Sequence, residues 1–317
     1  MAETVLQTLG LTKRYGSLTA VDNLTLEVHL SEVFGFLGPN GAGKTTSINM
    51  MCGLLRPDAG EVLIRGRPVH NSDAEIRTHL GICPQNTVVW DKLTCLEQLQ
   101  FMGEMYGVPG RIARQRGVEL LEQLDLAEKR DRLAGTLSGG MKRRLNLALA
   151  LVHDPEIVIL DEPEAGLDPQ SRVLVREHIR SLVDKKNAQR AKTVILTTQN
   201  MDEAERLAER VAIIDHGRLL VVDTPEALKR TVGEGDVLEI EIEGLSLAHA
   251  RQAVAAIAPD SETTDHTLVV RAYNVAGQLP AILEALQRAG AQPGEVRWRA
   301  NTLEDVFIQL TGRRLRE

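Results

Sequence analysis

Val33-Phe34-Gly35-Phe36-Leu37-Gly38-Pro39-Asn40-Gly41-Ala42-Gly43-Lys44-Thr45-Thr46 decides the reading of this chain. A short apolar run, Val33 to Gly38, leads into a glycine-rich turn and then a helical pattern from about Thr45 to Leu55. An apolar run of that length closed by Gly-Pro reads as a buried strand. From Gly38 to Thr45 the turn matches G-x-x-x-x-G-K-[ST]. Glycines let successive N–H groups curl toward one anion, and the helix that follows adds its positive end. Lys44 then reaches the β- and γ-phosphates of a nucleotide, and the Thr45 hydroxyl ligates Mg2+. Gly38, Asn40, Gly41, Ala42, Gly43 and Thr46 complete the cradle. An ordinary glycine turn before a basic helix would carry the same letters, but the flanking strand and helix are the context that phosphate binding requires.

A second buried strand, Ile157 to Leu160, runs into Asp161-Glu162-Pro163. Neighbours on a strand point to opposite sides, so the two carboxylates are free to take different jobs. Asp161 holds Mg2+ through water, and Glu162 orients or deprotonates an attacking water. Thr193 to Leu196 reads as a third buried strand, with helical patterns near Ser171–Val183 and Asp202–Glu209. The fold class is therefore α/β, with a mostly parallel sheet covered on both faces. Two regions depart from that alternation. Thr4 to Val28 holds two short alternating segments and reads as an antiparallel β edge. About residues 94–149 show helical periodicity and no clear strand, opening with Thr94 and Glu97 in capping-box spacing, and read as a helical insertion.

A boundary falls near Thr231 to Gly235, with Gly233 and Gly235 as punctuation after a short helix begun by Thr224-Pro225. The expected domains are residues 1–232 and 233–317. The second reads as strand (Val237–Ile242), helix (Leu247–Ala258), strand (Thr267–Arg271), helix (Ala276–Ala289), strand (Glu295–Trp298) and helix (Leu303–Leu310). It is thus a small C-terminal α/β domain. Its last helix puts Leu303, Val306, Phe307 and Leu310 on one face, with Thr302 and Asp305 capping its start.

Composition narrows the function classes. The 317 residues carry a formal net charge of −7, and an acidic chain is a poor partner for nucleic acid, whose affinity comes from Lys and Arg on phosphates. Cys52, Cys83 and Cys95 form no C-x-x-C pair and fit a reducing cytosol. No charged-then-apolar leader opens the chain, and no apolar run approaches the ~20 residues that span a bilayer. Any path across a membrane belongs to another chain.

Leu137-Ser138-Gly139-Gly140-Met141 is a second loop of anion-binding design, with a hydroxyl and free N–H groups at a helix start. Alone it would read as a helix cap. Two phosphate-binding loops for one nucleotide are explained if the second loop serves the nucleotide of a second copy.

With the phosphate loop, the LSGGM signature and the Asp161-Glu162-Pro163 strand end in this order, residues 4 to 230 resemble the ABC ATPases, a P-loop NTPase family. The resemblance implies an ATP-hydrolysing cassette that binds ATP and Mg2+ and pairs head to tail with a second copy. It implies further roles. Tyr15 stacks on adenine. Gln85 senses Mg2+ and faces a membrane permease subunit encoded as a separate chain. Gly166-Leu167-Asp168 crosses the dimer, and Ser138, Gly139 and Gly140 reach the opposite subunit's γ-phosphate. Asp202-Glu203-Ala204 and Ile214-Asp215-His216-Gly217 continue the pattern.

The chain departs from the family at Gln199, where a histidine usually bridges the γ-phosphate to the catalytic carboxylate. Glutamine offers an amide donor but carries no proton charge, which implies a working but slow ATPase. Glu164 stands where the family often has Thr or Ser. The tail Thr302–Gly312 is similar to that of ATPases paired with exporters of the daunorubicin-resistance type. It implies export of a drug, lipid or polymer from a peripheral position on the cytoplasmic face of a membrane. Val88, Val89 and Trp90 form a docking patch for the permease if exposed and core if buried. Two other classes stay open: a soluble ABC ATPase acting on ribosomes or DNA, and a nucleotide-dependent regulator without transport.

Overall fold

The computed structural model describes residues 3–69, 76, 78–184, 191–232, 236–259, 261–264, 266–272 and 275–312. Its contacts divide the chain into two units, one up to Thr224 and one from Pro225 onward. The short helix begun by Pro225 groups with the second unit. Gly233 and Gly235, read above as punctuation, lie outside the described residues.

The first unit is built on two sheets. β1 (Thr4–Tyr15), β2 (Leu18–His29), β4 (Ala59–Ile64) and β5 (Arg67–Pro68) form an antiparallel sheet in the order β2-β1-β4-β5. β3 (Val33–Leu37), β6 (Leu80–Cys83), β7 (Ile157–Asp161), β8 (Thr193–Thr198), β9 (Arg210–Asp215) and β10 (Arg218–Asp223) form the second, in the order β10-β9-β3-β8-β7-β6. All its neighbours are parallel except β10, which runs against β9. β3, β7 and β8 are buried at every residue, the continuous apolar pattern of strands covered on both faces. Phe34, Phe36, Ile159 and Ile195 of this sheet share one core with Val5, Leu11, Leu24 and Val62 of the antiparallel one. Each such side chain contributes about 1.5–3 kcal/mol by leaving water.

The helices are α1 (Lys44–Met51), α2 (Cys95–Met105), α3 (Gly110–Gln123), α4 (Gly139–Leu151), α5 (Pro169–Leu182) and α6 (Met201–Leu207). α1 stops short of the expected Leu55, because Gly53 adopts φ 66° just past its end, the left-handed stop that glycine supplies. α2 begins with the expected capping box. The Thr94 N–H donates to Glu97 Oε2 at 2.8 Å and the Glu97 N–H to Thr94 Oγ1 at 3.2 Å.

The second unit comprises α7 (Pro225–Thr231), β11 (Asp236–Glu243), α8 (Leu247–Val254), β12 (Glu262–Thr264), β13 (Thr267–Ala272), α9 (Val275–Arg288), β14 (Gln292–Ala300) and α10 (Leu303–Thr311). Its sheet is antiparallel in the order β12-β13-β11-β14. Leu238, Ile240 and Ile242 alternate into a core with Leu268, Val270, Ile282 and Leu286. The Asp305 carboxylate accepts from the Thr302 N–H and hydroxyl, both at 2.9 Å, as the sequence implies. Leu303, Val306 and Phe307 are buried. Leu310, expected beside them, is 45% exposed, because the helix ends one residue later and its last turn lies past the packed face.

Candidate active site

β3 delivers the phosphate loop, and two close approaches and two hydrogen bonds shape it. A Cβ on Gly38 would lie 2.5 Å from the Ile214 carbonyl oxygen, and one on Gly43, at φ 99°, would lie 2.4 Å from that of Ala20. The Gly217 N–H donates to Ala42 O at 3.0 Å, and the Asp22 N–H donates to Gly217 O at 2.8 Å. The turn after β9 and the strand β2 therefore clamp the loop, which gives Ile214-Asp215-His216-Gly217 a physical purpose. α1 starts at Gly43 with no side-chain cap, so its first N–H groups are available to a ligand. Lys44 is buried, and its Nζ donates to Gly38 O at 2.7 Å and Pro39 O at 3.1 Å. Burial lowers its pKa, and Glu162 and Asp161 oppose that shift. Asn40, Gly41 and Thr45 are exposed, Thr46 is half-buried and Ala42 is buried.

The acidic pair closes β7. Asp161 Oδ1 accepts a hydrogen bond from the Thr197 hydroxyl on the neighbouring strand. Glu162 leaves the strand at φ 49°, and its N–H is shared between Thr197 O at 3.0 Å and Thr197 Oγ1 at 3.2 Å. The expectation that simple strand alternation separates the two carboxylates is corrected here, since a left-handed residue does the separating. Gln85, exposed after β6, donates through Nε2 to Glu162 Oε2 at 2.9 Å. Gln85, Asp161, Glu162 and Lys44 thus converge, while Gln199 is exposed one residue beyond β8.

Ser138 caps α4, its Oγ accepting from the Met141 N–H at 3.3 Å. Asp168 caps α5 through the Ser171 N–H at 2.9 Å. A Cβ on Gly140 would come within 2.9 Å of Ser171 Oγ and 3.3 Å of Asp168 Oδ2, so any larger residue would have to push these two side chains aside. Ser138 and Gly139 are exposed. Among the described residues, no hydrogen bond or ion pair joins Ser138, Gly139 or Gly140 to the phosphate loop of the same chain. Tyr15, at the end of β1, is 50% exposed, with Lys13 Nζ 5.8 Å from its ring centre.

Thr197 and Arg143 carried no sequence signal, and Glu164 and Glu203, named above, gain partners. Thr197 organises both acidic residues. Arg143 binds the backbone of two converging segments. Glu164 is buried and paired with Arg176 by two bonds, at 2.8 and 2.6 Å. The Thr198 hydroxyl donates to Glu203 Oε2 at 2.6 Å, and burial pushes the Glu203 carboxyl up to about 7.

This geometry has counterparts in known proteins. The family profile described as ABC transporter matches residues 21–165. The daunorubicin resistance ATP-binding protein DrrA2 of Streptomyces coeruleorubidus is 39% identical over 306 residues, covering 95% of this chain and 93% of the relative. The chain belongs to the ABC transporter family. This ABC ATPase is also 41% identical to the Nod factor export ATP-binding protein I of Burkholderia orbicola (strain AU 1054), covering 96% of each chain. A solved ATP-binding subunit of an ABC transporter superposes with a TM-score of 0.65 at 26% identity, covering 72% of this ABC ATPase and 93% of that chain. A dimeric bacterial ABC transporter cassette gives 0.63 at 25% identity, covering 69% and 98%. The enzyme is an ATPase of the ABC cassette fold, and its substrate is ATP.

Proposed function

We propose that this ATPase powers export of a drug, lipid or polymer through a separate membrane permease, working as a head-to-tail pair on the cytoplasmic face. The observation that carries the reading is the bond from Gln85 to Glu162, because it joins an exposed surface segment to a carboxylate at the end of the central sheet. Three residues beyond Gln85, Val88 is 56% exposed, and Trp90 stacks edge-on against Phe101 with ring centres 5.6 Å apart. Met105 and Leu133 are exposed as well. Exposed apolar side chains packed together, as Trp90 and Phe101 are, mark an interaction surface. No helix among the described residues is long and apolar enough to cross a membrane. The alignment with drug-resistance and Nod factor export relatives extends over nearly the whole chain, and this supports export.

At the catalytic centre the chain's residues divide the work. Lys44 and the N–H groups of Gly41 and of Gly43 to Thr46 hold the β- and γ-phosphates, and Tyr15 stacks on adenine. Thr45, Gln85 and, through water, Asp161 are the groups that would hold Mg2+, and the ion would supply positive charge to offset that of the phosphates. Glu162, held by Gln85, takes a proton from the attacking water. Gln199 offers an amide to the γ-phosphate without the ionisable ring of a histidine. Ser138 and Gly139, which are exposed, and Gly140, which is half-buried, are remote in bonding from the cradle of their own chain and serve the phosphate of the second copy, with Asp168 bracing them. The C-terminal unit, which begins at Pro225 rather than at the expected residue 233, serves as an accessory domain.

Trp90→Ala tests the coupling. Co-expressed with its membrane partner, the variant is expected to bind ATP as the parent does and to lose transport by on the order of tenfold, as for loss of a buried aromatic anchor. Undiminished transport would remove this segment from the docking surface.

A further inference from the structure

We propose that Arg143 is a positioning residue that fixes Gln85 and Glu162 in one register, so that movement of the segment bearing Val88 and Trp90 reaches the catalytic carboxylate. The inference rests on the reading of Glu162 as the base. Arg143 lies in the second turn of α4 and is 5% exposed. Its guanidinium spends all its donors on main-chain carbonyls. Nη1 donates to Pro84 O at 2.5 Å and Gln85 O at 2.9 Å. Nη2 donates to Asp161 O at 2.7 Å and Glu162 O at 2.9 Å, and Nε to Pro163 O at 3.4 Å.

The acceptors belong to two segments that leave neighbouring parallel strands, β6 and β7. Each segment presents carbonyls where its strand ends, and burial makes an unpaired carbonyl costly; of these the Glu162 carbonyl also accepts from the Ala165 N–H at 3.1 Å. One planar fork answers both. It also fixes geometry. Glu162 holds a left-handed backbone that non-glycine residues avoid, and Arg143 grips the carbonyls on both sides of its φ and ψ. On the other segment it grips the Gln85 carbonyl, while the Gln85 side chain reaches Glu162 Oε2 at 2.9 Å. The two main chains are therefore spaced by the guanidinium, and the side-chain bond depends on that spacing. No ion pair holds Arg143 among the described residues, so a carboxylate does not compete for the fork. Lysine keeps the charge but offers donors from one point and cannot span both segments. Arg143 also follows Ser138 by five residues on the same helix, which ties the signature loop to the same junction.

The test uses Arg143→Lys and Arg143→Gln in the full chain, each alone and combined with Gln85→Ala. Thermal unfolding, binding of a fluorescent ATP analogue, KM and kcat are measured. Both single variants are expected to stay folded and to hold nucleotide affinity and KM within about twofold, while kcat falls on the order of tenfold to a hundredfold, as for a displaced catalytic group. In the Gln85→Ala background the further loss from Arg143→Lys is expected to shrink to about threefold or less, because the link is already cut. An unchanged kcat overturns the proposal. So does a loss of the same size in both backgrounds, or an equal loss in nucleotide binding, either of which marks Arg143 as structural only. Glu162→Gln is the control. If it hydrolyses ATP at the parental rate, the base assignment fails. If it is inactive while Arg143→Lys is not impaired, the positioning role alone fails.

Discussion

At the scale of single residues, two carboxylates sit in different surroundings. Glu162 is held by Gln85 and Thr197 with its backbone in the left-handed region. Glu162→Gln keeps the shape and removes the basic oxygen, so ATP hydrolysis is expected to fall by on the order of 10²- to 10⁴-fold with ATP binding retained. A phosphate-release assay beside a nucleotide-binding titration checks this. Glu203 is different. Burial outweighs the Thr198 hydroxyl and the Arg176 charge, the nearby Glu164 charge adds to burial, and its carboxyl rises to about 7 from 4.5. An acid whose folded pKa is raised holds its proton more firmly when folded. It therefore favours the folded state at low pH, and that advantage declines as pH climbs from about 4.5 through 7. The loss amounts to roughly 3 kcal/mol at most. Glu203→Gln is expected to flatten the fall in urea midpoint between pH 5.5 and 8, and an identical fall in both proteins would remove Glu203 as its source. The phosphate loop was legible in sequence because its chemistry needs contiguous letters. Arg143 and Thr197 were not, because what they bind is main chain, or a side chain dozens of residues away, and carbonyls leave no letter.

At the scale of elements, the buried strands β3, β7 and β8 and the two hairpin strands of the edge could be read from their apolar and alternating runs. β12, only Glu262 to Thr264, has no run long enough to announce itself. α1 was read too long because the apolar Leu54 and Leu55 continue the pattern past a left-handed Gly53. The capping box at Thr94 was legible and formed. Thr94→Ala removes the acceptor for the Glu97 N–H, so the first unit is expected to lose about 1 kcal/mol, measured by urea unfolding. Glu97→Ala in the Thr94→Ala background then adds little, since the pair acts reciprocally. A change under a few tenths of a kcal/mol on Thr94→Ala would show that the tertiary packing of α2, not its cap, sets that helix start.

At the scale of the molecule, one chain presents a phosphate cradle with its acid pair and, on another loop, an exposed Ser138 that no bond joins to that cradle among the described residues. The sequence suggested a second copy because it contains two anion-binding designs, and the folded chain supplies a brace for the second loop in the contact of Gly140 with Asp168 and Ser171. Complementation tests the composite centre most directly. Lys44→Ala removes the cradle's cation, and Ser138→Arg blocks the signature, so each variant alone is expected to be inactive. In a mixed pair, one centre regains an intact Lys44 from one copy and an intact Ser138 from the other. Equal mixing of the two is expected to restore about a quarter of the parental ATPase rate, as half the pairs carry one sound centre of two. A mixture as inactive as its parents, or full activity in Ser138→Arg alone, would contradict the shared centre.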